Sequence, residues 1–404
     1  MERGENTNIM LSLIDVLTNN APKRDIAIFG TGLDAVKCAY SLFNRGISIQ
    51  YFLNNNSRIE TFLGCPVYEP DFKYISDKVY IIVAVGTMST YLVLSNQLKE
   101  LHLEEFTDFI YYKWIDKKLV LLHGNCHMTV IKAYLESSQE FSDIYAIYPN
   151  PLIQENKEKR IENNVLKNCE IWIHEDIQEQ NAYGYFLSDV YIREKWKETG
   201  RLNEKREIIV PNLFGLGKGF FPQSRGWSVR NEKIGNAQDA MGMFPYMDII
   251  IDSGVEQKMS VENIIQFCKD SCMLDQDTVI TNFEQYMTKI KKREDAWDIK
   301  IYDFIQENYR KVKLFFDESH PTNDIFIKIC RDILQELGIF EQHIYSDISL
   351  DTHEIPIYPV VRHYLKMEWE ENEIRKSFNA KKMCSYMDFE EYIREYLWWN
   401  YKLS

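Results

Sequence analysis

No stretch of the 404-residue sequence holds about 18 uninterrupted apolar residues, the length a helix needs to cross a bilayer. No leader is expected either. Met1 to Asn8 are polar, and Ser12 and Asp15 break the apolar run Ile9 to Leu17, an amphipathic pattern too short and too polar for a signal peptide. Positive charge is scarce: 47 Lys and Arg against 61 Asp and Glu leave a net charge of -14, so the surface repels polyanions and nucleic acid is excluded as a partner. Cysteines lack paired spacing. The eight of them, Cys38, Cys65, Cys126, Cys169, Cys268, Cys272, Cys330 and Cys384, include no Cys-x-x-Cys and read as reduced thiols of a cytoplasmic protein. His123, Cys126 and His127 with the Cys268/Cys272 pair do not make a zinc-site spacing, so no metal is expected. Internal repeats and low-complexity tracts are also lacking.

What is present reads as α/β architecture in three parts: a Rossmann-like parallel sheet over residues 1–114, a second α/β domain over 115–345, and a helical segment over 346–404. The first part announces itself at Asp25 to Phe29, an apolar strand entering the turn Gly30-Thr31-Gly32 and a helix from Leu33 to Asn44. Strands follow at Ile47 to Leu53 and Val79 to Val85. The turn is Gly-x-Gly-x-x-Ala, in which Gly30 and Gly32 would let backbone approach a phosphate at a helix start. The acidic residue that would hold a ribose is replaced by Asn54-Asn55-Asn56, so the turn reads equally as a nucleotide site and as architecture. A second strand, turn and helix starts at Leu119 to Leu122, with further strands at Glu170 to His174, Glu207 to Val210, Asp248 to Ile251 and Lys313 to Phe316. Residues 211–236 form a glycine-rich loop, and a helix runs from Asp324 to Leu337.

The chemistry centres on His123-Gly124-Asn125-Cys126-His127, where a buried strand turns sharply into a helix. A cysteine at a helix start sits beside unpaired amides and the positive end of the dipole, which favours thiolate. Gly124 and Asn125 are turn residues of the kind that expose a nucleophile while neighbouring amides form an oxyanion site. Asp317 and His320, three apart in a turn, have the spacing of a carboxylate that orients a base. His174 and Asp252 close apolar strands and read either as satisfied strand-end polar residues, the commoner case, or as borders of the expected pocket. Lys218, Arg225, Arg230 and Lys233 concentrate basic charge near the glycine-rich loop.

An early nucleophile turn, Asn212 beside Gly215, and a late Asp-x-x-His together resemble the layout of SGNH hydrolases, with cysteine in place of serine. The blocks Leu122-His123-Gly124-Asn125-Cys126-His127, Pro211-Asn212-Leu213-Phe214-Gly215 with Phe221-Pro222, and Asp317-Glu318-Ser319-His320-Pro321 resemble the WcbI family of polysaccharide biosynthesis enzymes; His127 stands where that family has glutamine. Residues 25–112 resemble the amino-terminal domain of PglD-type sugar O-acyltransferases through Ile28-Phe29-Gly30-Thr31-Gly32, Tyr51-Phe52-Leu53-Asn54-Asn55 and Leu63-Gly64-Cys65-Pro66-Val67; in that family the domain holds a nucleotide sugar.

The resemblance implies acyl transfer from coenzyme A, as acetyl-CoA, to a hydroxyl of a nucleotide- or lipid-linked sugar in capsule assembly. Cys126, His320 and Asp317 would be catalytic; Gly124, Asn125, Asn212 and Gly215 would form the oxyanion turn; Lys218, Arg225, Arg230 and His127 would meet the cofactor. Two other readings share these residues: an esterase or thioesterase, and a catalytically silent nucleotide-sugar-binding protein. A homo-oligomer is compatible with either.

Overall fold

The computed structural model describes residues 24–403, except 56–57, 72, 76–77, 157–159, 200–204, 228–243, 245, 271–272, 342, 352–353, 370–373 and 376–385. The expected ligands Arg230 and Lys233 lie outside the described residues. Strands β1 (Asp25–Phe29), β2 (Ile49–Leu53), β3 (Thr61–Phe62), β4 (Cys65–Tyr68), β5 (Val79–Val83) and β6 (Phe109–Tyr111) form a sheet in the order β3-β4-β2-β1-β5-β6. All its pairings are parallel except β3 with β4. Apolar β1 and β5 are buried at its centre, as parallel strands covered on both faces must be. Helix α1 (Leu33–Asn44) buries Ala35, Cys38, Ala39 and Leu42, the spacing of one helical face. Helix α2 (Met88–Glu100) starts at Thr87, whose hydroxyl accepts from the Thr90 amide.

Gly30 owes its identity to packing. Its φ is +133°, and a Cβ there would lie 2.4 Å from the Ala84 carbonyl oxygen. Asp34 occupies the first turn of α1, where Tyr112 donates a hydrogen bond to it. The helix start thus already holds a carboxylate, beside Gly32 at the N-cap.

A second sheet has the all-parallel order β10-β9-β7-β8, built from β7 (Lys118–His123), β8 (Tyr145–Tyr148), β9 (Cys169–Glu175) and β10 (Arg206–Val210). Helix α3 (His127–Ser137) follows β7 directly. One face of this sheet shares a core with the first: Leu119, Leu121 and Trp172 are buried with Tyr91, Phe109 and Trp114. Tyr91 from α2 and Tyr148 from β8 both donate to the buried carboxylate of Glu105. Val120, Leu122 and Ile173 face the other way, into a core that contains the helices of the carboxy-terminal half.

Two expected strands differ. The strand placed at Asp248 to Ile251 ends at Asp248, as β12 (Tyr246–Asp248) paired with β11 (Ser224–Trp227), and α4 (Ile249–Glu256) begins at once. The Asp248 carboxylate accepts from the Ile250 and Ile251 amides, so its capping chemistry starts a helix. Asp252 therefore lies within α4 and not at a strand end, buried and accepting from the Tyr396 and Tyr401 hydroxyls. Lys313 to Phe316 makes only a single bridge, Phe315 with Pro321. Helices α5 (Gln276–Arg293) and α6 (Asn323–Glu336) follow, the second ending before Gly338 at φ +78°. The carboxy-terminal segment carries α7 (Phe389–Tyr401) and a two-stranded ribbon, Ile374–Arg375 with Tyr386–Met387. Tyr358, Val361, Ile393 and Leu397 bury it in the same core as the second sheet. No described helix is long and apolar enough to cross a membrane.

Candidate functional site

The carboxyl ends of β7 and β9, where an open parallel sheet offers a crevice, carry the site. Cys126 is the N-cap of α3, half-buried. Its Sγ lies 3.8 Å from Nε2 of His320, a residue 194 positions away in the chain. The other imidazole nitrogen, Nδ1, is 2.7 Å from Asp317 Oδ2. Asp317 is fully buried, and its Oδ1 accepts from the amides of Ser319 (2.7 Å) and His320 (2.9 Å). A third partner is Tyr246, whose hydroxyl bonds Asp317 and is pushed up by burial and by that carboxylate's charge.

Burial alone would lower the pKa of His320, but the hydrogen bonds to Asp317 and Cys126, with the charge of Asp317, raise it to about 10. The ring is an imidazolium at neutral pH. The structure thus brings the cysteine, imidazole and carboxylate of residues 126, 320 and 317 together.

Glu175, at the end of β9, fixes the turn and was not among the expected residues. Its Oε2 accepts from the Asn125 amide (2.9 Å), and its Oε1 lies 2.7 Å from His127 Nδ1. A Cβ on Gly124 would sit 2.8 Å from the same carboxylate, so glycine is required there by packing. The opposite nitrogen of His127 is 2.9 Å from the Ser319 carbonyl oxygen. This corrects the placing of His127 among cofactor ligands. With both nitrogens engaged and 1% of its surface exposed, it is a strut tying β9 and α3 to the Asp317–His320 turn. Ser319 was missed as well: its hydroxyl accepts from the Gly215 amide (3.1 Å), joining the 211–220 turn to the same loop.

The amides of Asn125 and Gly215 are therefore already used. Asn212 accepts from the Phe214 amide through Oδ1, and among the described residues its Nδ2 has no acceptor. Gly215 is left-handed, φ +72°, with open space where a side chain would project. Lys218 lies 3.9 Å from Glu318 and is half-buried; Arg225 is exposed. His174 stacks on Trp172 and bonds Glu207 and the Glu175 carbonyl. Burial would depress it, yet the bonds to Asp189 and Glu207 raise it to about 9, a buried ion-pair knot away from the sulfur. Burial takes neighbouring His123 down to about 4. Among the described residues no group of three His, Cys, Asp or Glu side chains could hold a metal ion.

These features can be set beside known proteins. No curated protein matches the chain. One solved structure does, with TM-score 0.56 and 18% identity over 71% of this chain and 91% of the other; it is WcbI, described as a novel polysaccharide biosynthesis enzyme, in its native form without a disulfide bond between coenzyme A and one of its cysteines. At that identity the likeness shows the fold. The family model for the polysaccharide biosynthesis enzyme WcbI covers residues 119–342, more than half the chain, from the start of β7 past α6, and the chain belongs to that family.

Proposed function

We propose that the chain transfers an acyl group, as acetyl, from coenzyme A to a sugar hydroxyl during surface-polysaccharide assembly, with residues 119–342 carrying the chemistry. The observation that carries this reading is the 3.8 Å approach of Cys126 Sγ to a His320 held by buried Asp317. A sulfur beside an imidazolium at a helix start is set up to act as a nucleophile. The residues present fit a thioester donor: Cys126 is half-exposed at the start of a helix.

Cys126 takes the acyl group as a thioester, and His320 gives its proton to the departing thiol. In the second half-reaction His320 recovers a proton from the sugar hydroxyl as that oxygen attacks the acyl carbon, and Cys126 leaves as thiolate. The raised pKa of His320 sets this order, because the resting ring is the acid form. Nδ2 of Asn212, with the Cys126 amide, is the donor pair for the oxyanion. Lys218 and Arg225 supply cations along the 211–227 loop for the donor's phosphates.

Calorimetry with coenzyme A, followed by product analysis of acetyl-CoA turnover with and without a sugar acceptor, tests the proposal. Acetylated sugar is the expected product. Hydrolysis that no sugar diverts would refute transfer, and absence of heat at millimolar coenzyme A would refute the donor.

A further inference from the structure

A cavity of about 370 Å³ opens between α5 and the Phe214–Leu216 turn. Its walls include Phe214, Gly215 and Tyr286, and three cations, Lys289, Lys292 and Arg293, enter it from the last turns of α5. These three are spaced i, i+3, i+4, so they share one helix face.

Cations at a helix carboxyl end favour the dipole, and that role alone would account for a lysine there. Neighbouring Lys291 fills it, pairing with Glu294 and lying over the Tyr302 ring. The cavity cations differ. Among the described residues none of them has a carboxylate at ion-pair distance, in a chain of net charge -14. Arg293 is half-buried with its guanidinium 5.0 Å from the Trp297 ring. Burial lowers its pKa despite the more distant charges of Asp176 and Glu175. A desolvated cation without a bonded anion costs free energy that a bound anion recovers.

Position identifies the anion's owner. Gly215 lines the cavity, and its amide bonds Ser319, the residue before His320. The charge of Glu175, which anchors the Asn125 amide, reaches Arg293. One wall of the cavity is thus hydrogen-bonded to the loop that carries His320. The donor's phosphates are separated from its acyl carbon by the whole pantetheine arm, whereas an anomeric phosphate is one ring away from the hydroxyls of its sugar. Phe214, 70% exposed, offers an aromatic face for that ring, and the Tyr286 ring holds the Lys289 ammonium 4.1 Å above it at the cavity wall.

We infer that this cavity is the acceptor subsite, and that the acceptor is a sugar bearing a phosphate or pyrophosphate ester, held by Lys289, Lys292 and Arg293 with a free hydroxyl toward His320. The inference rests on the acyl-transfer reading for the role of the sugar, and its test separates the two. Calorimetry is run with inorganic pyrophosphate, UDP-glucose and coenzyme A on the wild type, on K289Q/K292Q/R293Q, and on K289Q/K292Q, whose lysines are exposed.

Pyrophosphate and UDP-glucose compete in the wild type, and coenzyme A still binds at saturating pyrophosphate. The triple variant loses at least about tenfold in pyrophosphate affinity and the double variant a smaller part, with melting temperatures unchanged and coenzyme A affinity within about twofold. Unchanged pyrophosphate binding, no pyrophosphate binding to the wild type, or an equal loss for coenzyme A would overturn the subsite. Should coenzyme A fail to bind while pyrophosphate and UDP-glucose compete, the acyl-transfer reading falls and the sugar-phosphate subsite stands.

Discussion

Replacing Asp317 by asparagine keeps the shape of the side chain and removes its charge. Oδ1 can still accept from the Ser319 and His320 amides, but an NH₂ group then faces His320 Nδ1, where a carboxylate lay 2.7 Å away. With that partner gone, only the hydrogen bond and charge of Cys126 still oppose burial, and the pKa falls from about 10 toward the ordinary 6.5. At about 1.4 kcal/mol per pH unit of displacement, the lost interaction amounts to a few kcal/mol. The direction follows from linkage. Because the folded-state pKa is raised, the stabilisation is fully present below pH 6.5 and is lost as pH rises through about 10. D317N therefore melts below the wild type by on the order of 5 °C at pH 6, and the gap closes by about pH 10.5. Turnover falls by on the order of 10² to 10⁴ at neutral pH, since the ring is no longer held in the useful state. Differential scanning calorimetry across pH is the assay. An equal gap at pH 6 and pH 10.5 would show that Asp317 only braces its loop, and the assignment of His320 as a resting imidazolium would be lost.

Cys126→Ser is expected to keep the fold while lowering transfer by on the order of 10² or more and removing the thiol that iodoacetamide labels, as peptide mapping after labelling would show. Glu175→Gln leaves one of two buried bonds badly made, either to the Asn125 amide or to His127; a loss of about 1–3 kcal/mol is expected in denaturant titration, with slower labelling of Cys126. Gly30→Ala sets a methyl group 2.4 Å from the Ala84 carbonyl oxygen at a φ of +133°, so the first sheet should loosen, read as faster amide exchange in β1 and β5. Burial raises the Asp248 carboxyl from 3.8 to about 7, so it costs stability as pH climbs from 4 to 7; Asp248→Asn should flatten the fall of melting temperature over that window.

The sequence made the cluster of Cys126, His320 and Asp317 legible because its signals are local. A cysteine at a strand-to-helix turn and an aspartate three residues before a histidine each carry a short signal, and their meeting across 194 positions follows once both lie at one end of one sheet. The first strand, its glycine turn and α1 were equally plain from the apolar run Ile26 to Phe29 and the spacing of Ala35, Cys38, Ala39 and Leu42. Glu175 was hidden because one carboxylate closing a buried strand looks like a solvated end; its position at the carboxyl edge of β9 was the only signal. Ile249-Ile250-Ile251 could not be sorted by periodicity, since a short apolar run fits a buried strand and a buried helix alike, and the Asp248 cap decided it. Lys292 and Arg293 read as the ordinary basic end of a helix. Only the cavity beside them sets them apart.

The face of the second sheet that carries Leu119, Leu121 and Trp172 is covered by side chains of the first, and Glu105 is clasped by tyrosines from both. A gene trimmed to begin at Lys118 would therefore yield a polypeptide with those residues wetted, and it should precipitate unless they are first repainted with polar ones. The same three positions serve as a marker among related chains. Apolar residues there call for a companion layer in front, and hydrophilic ones announce a second sheet that travels alone.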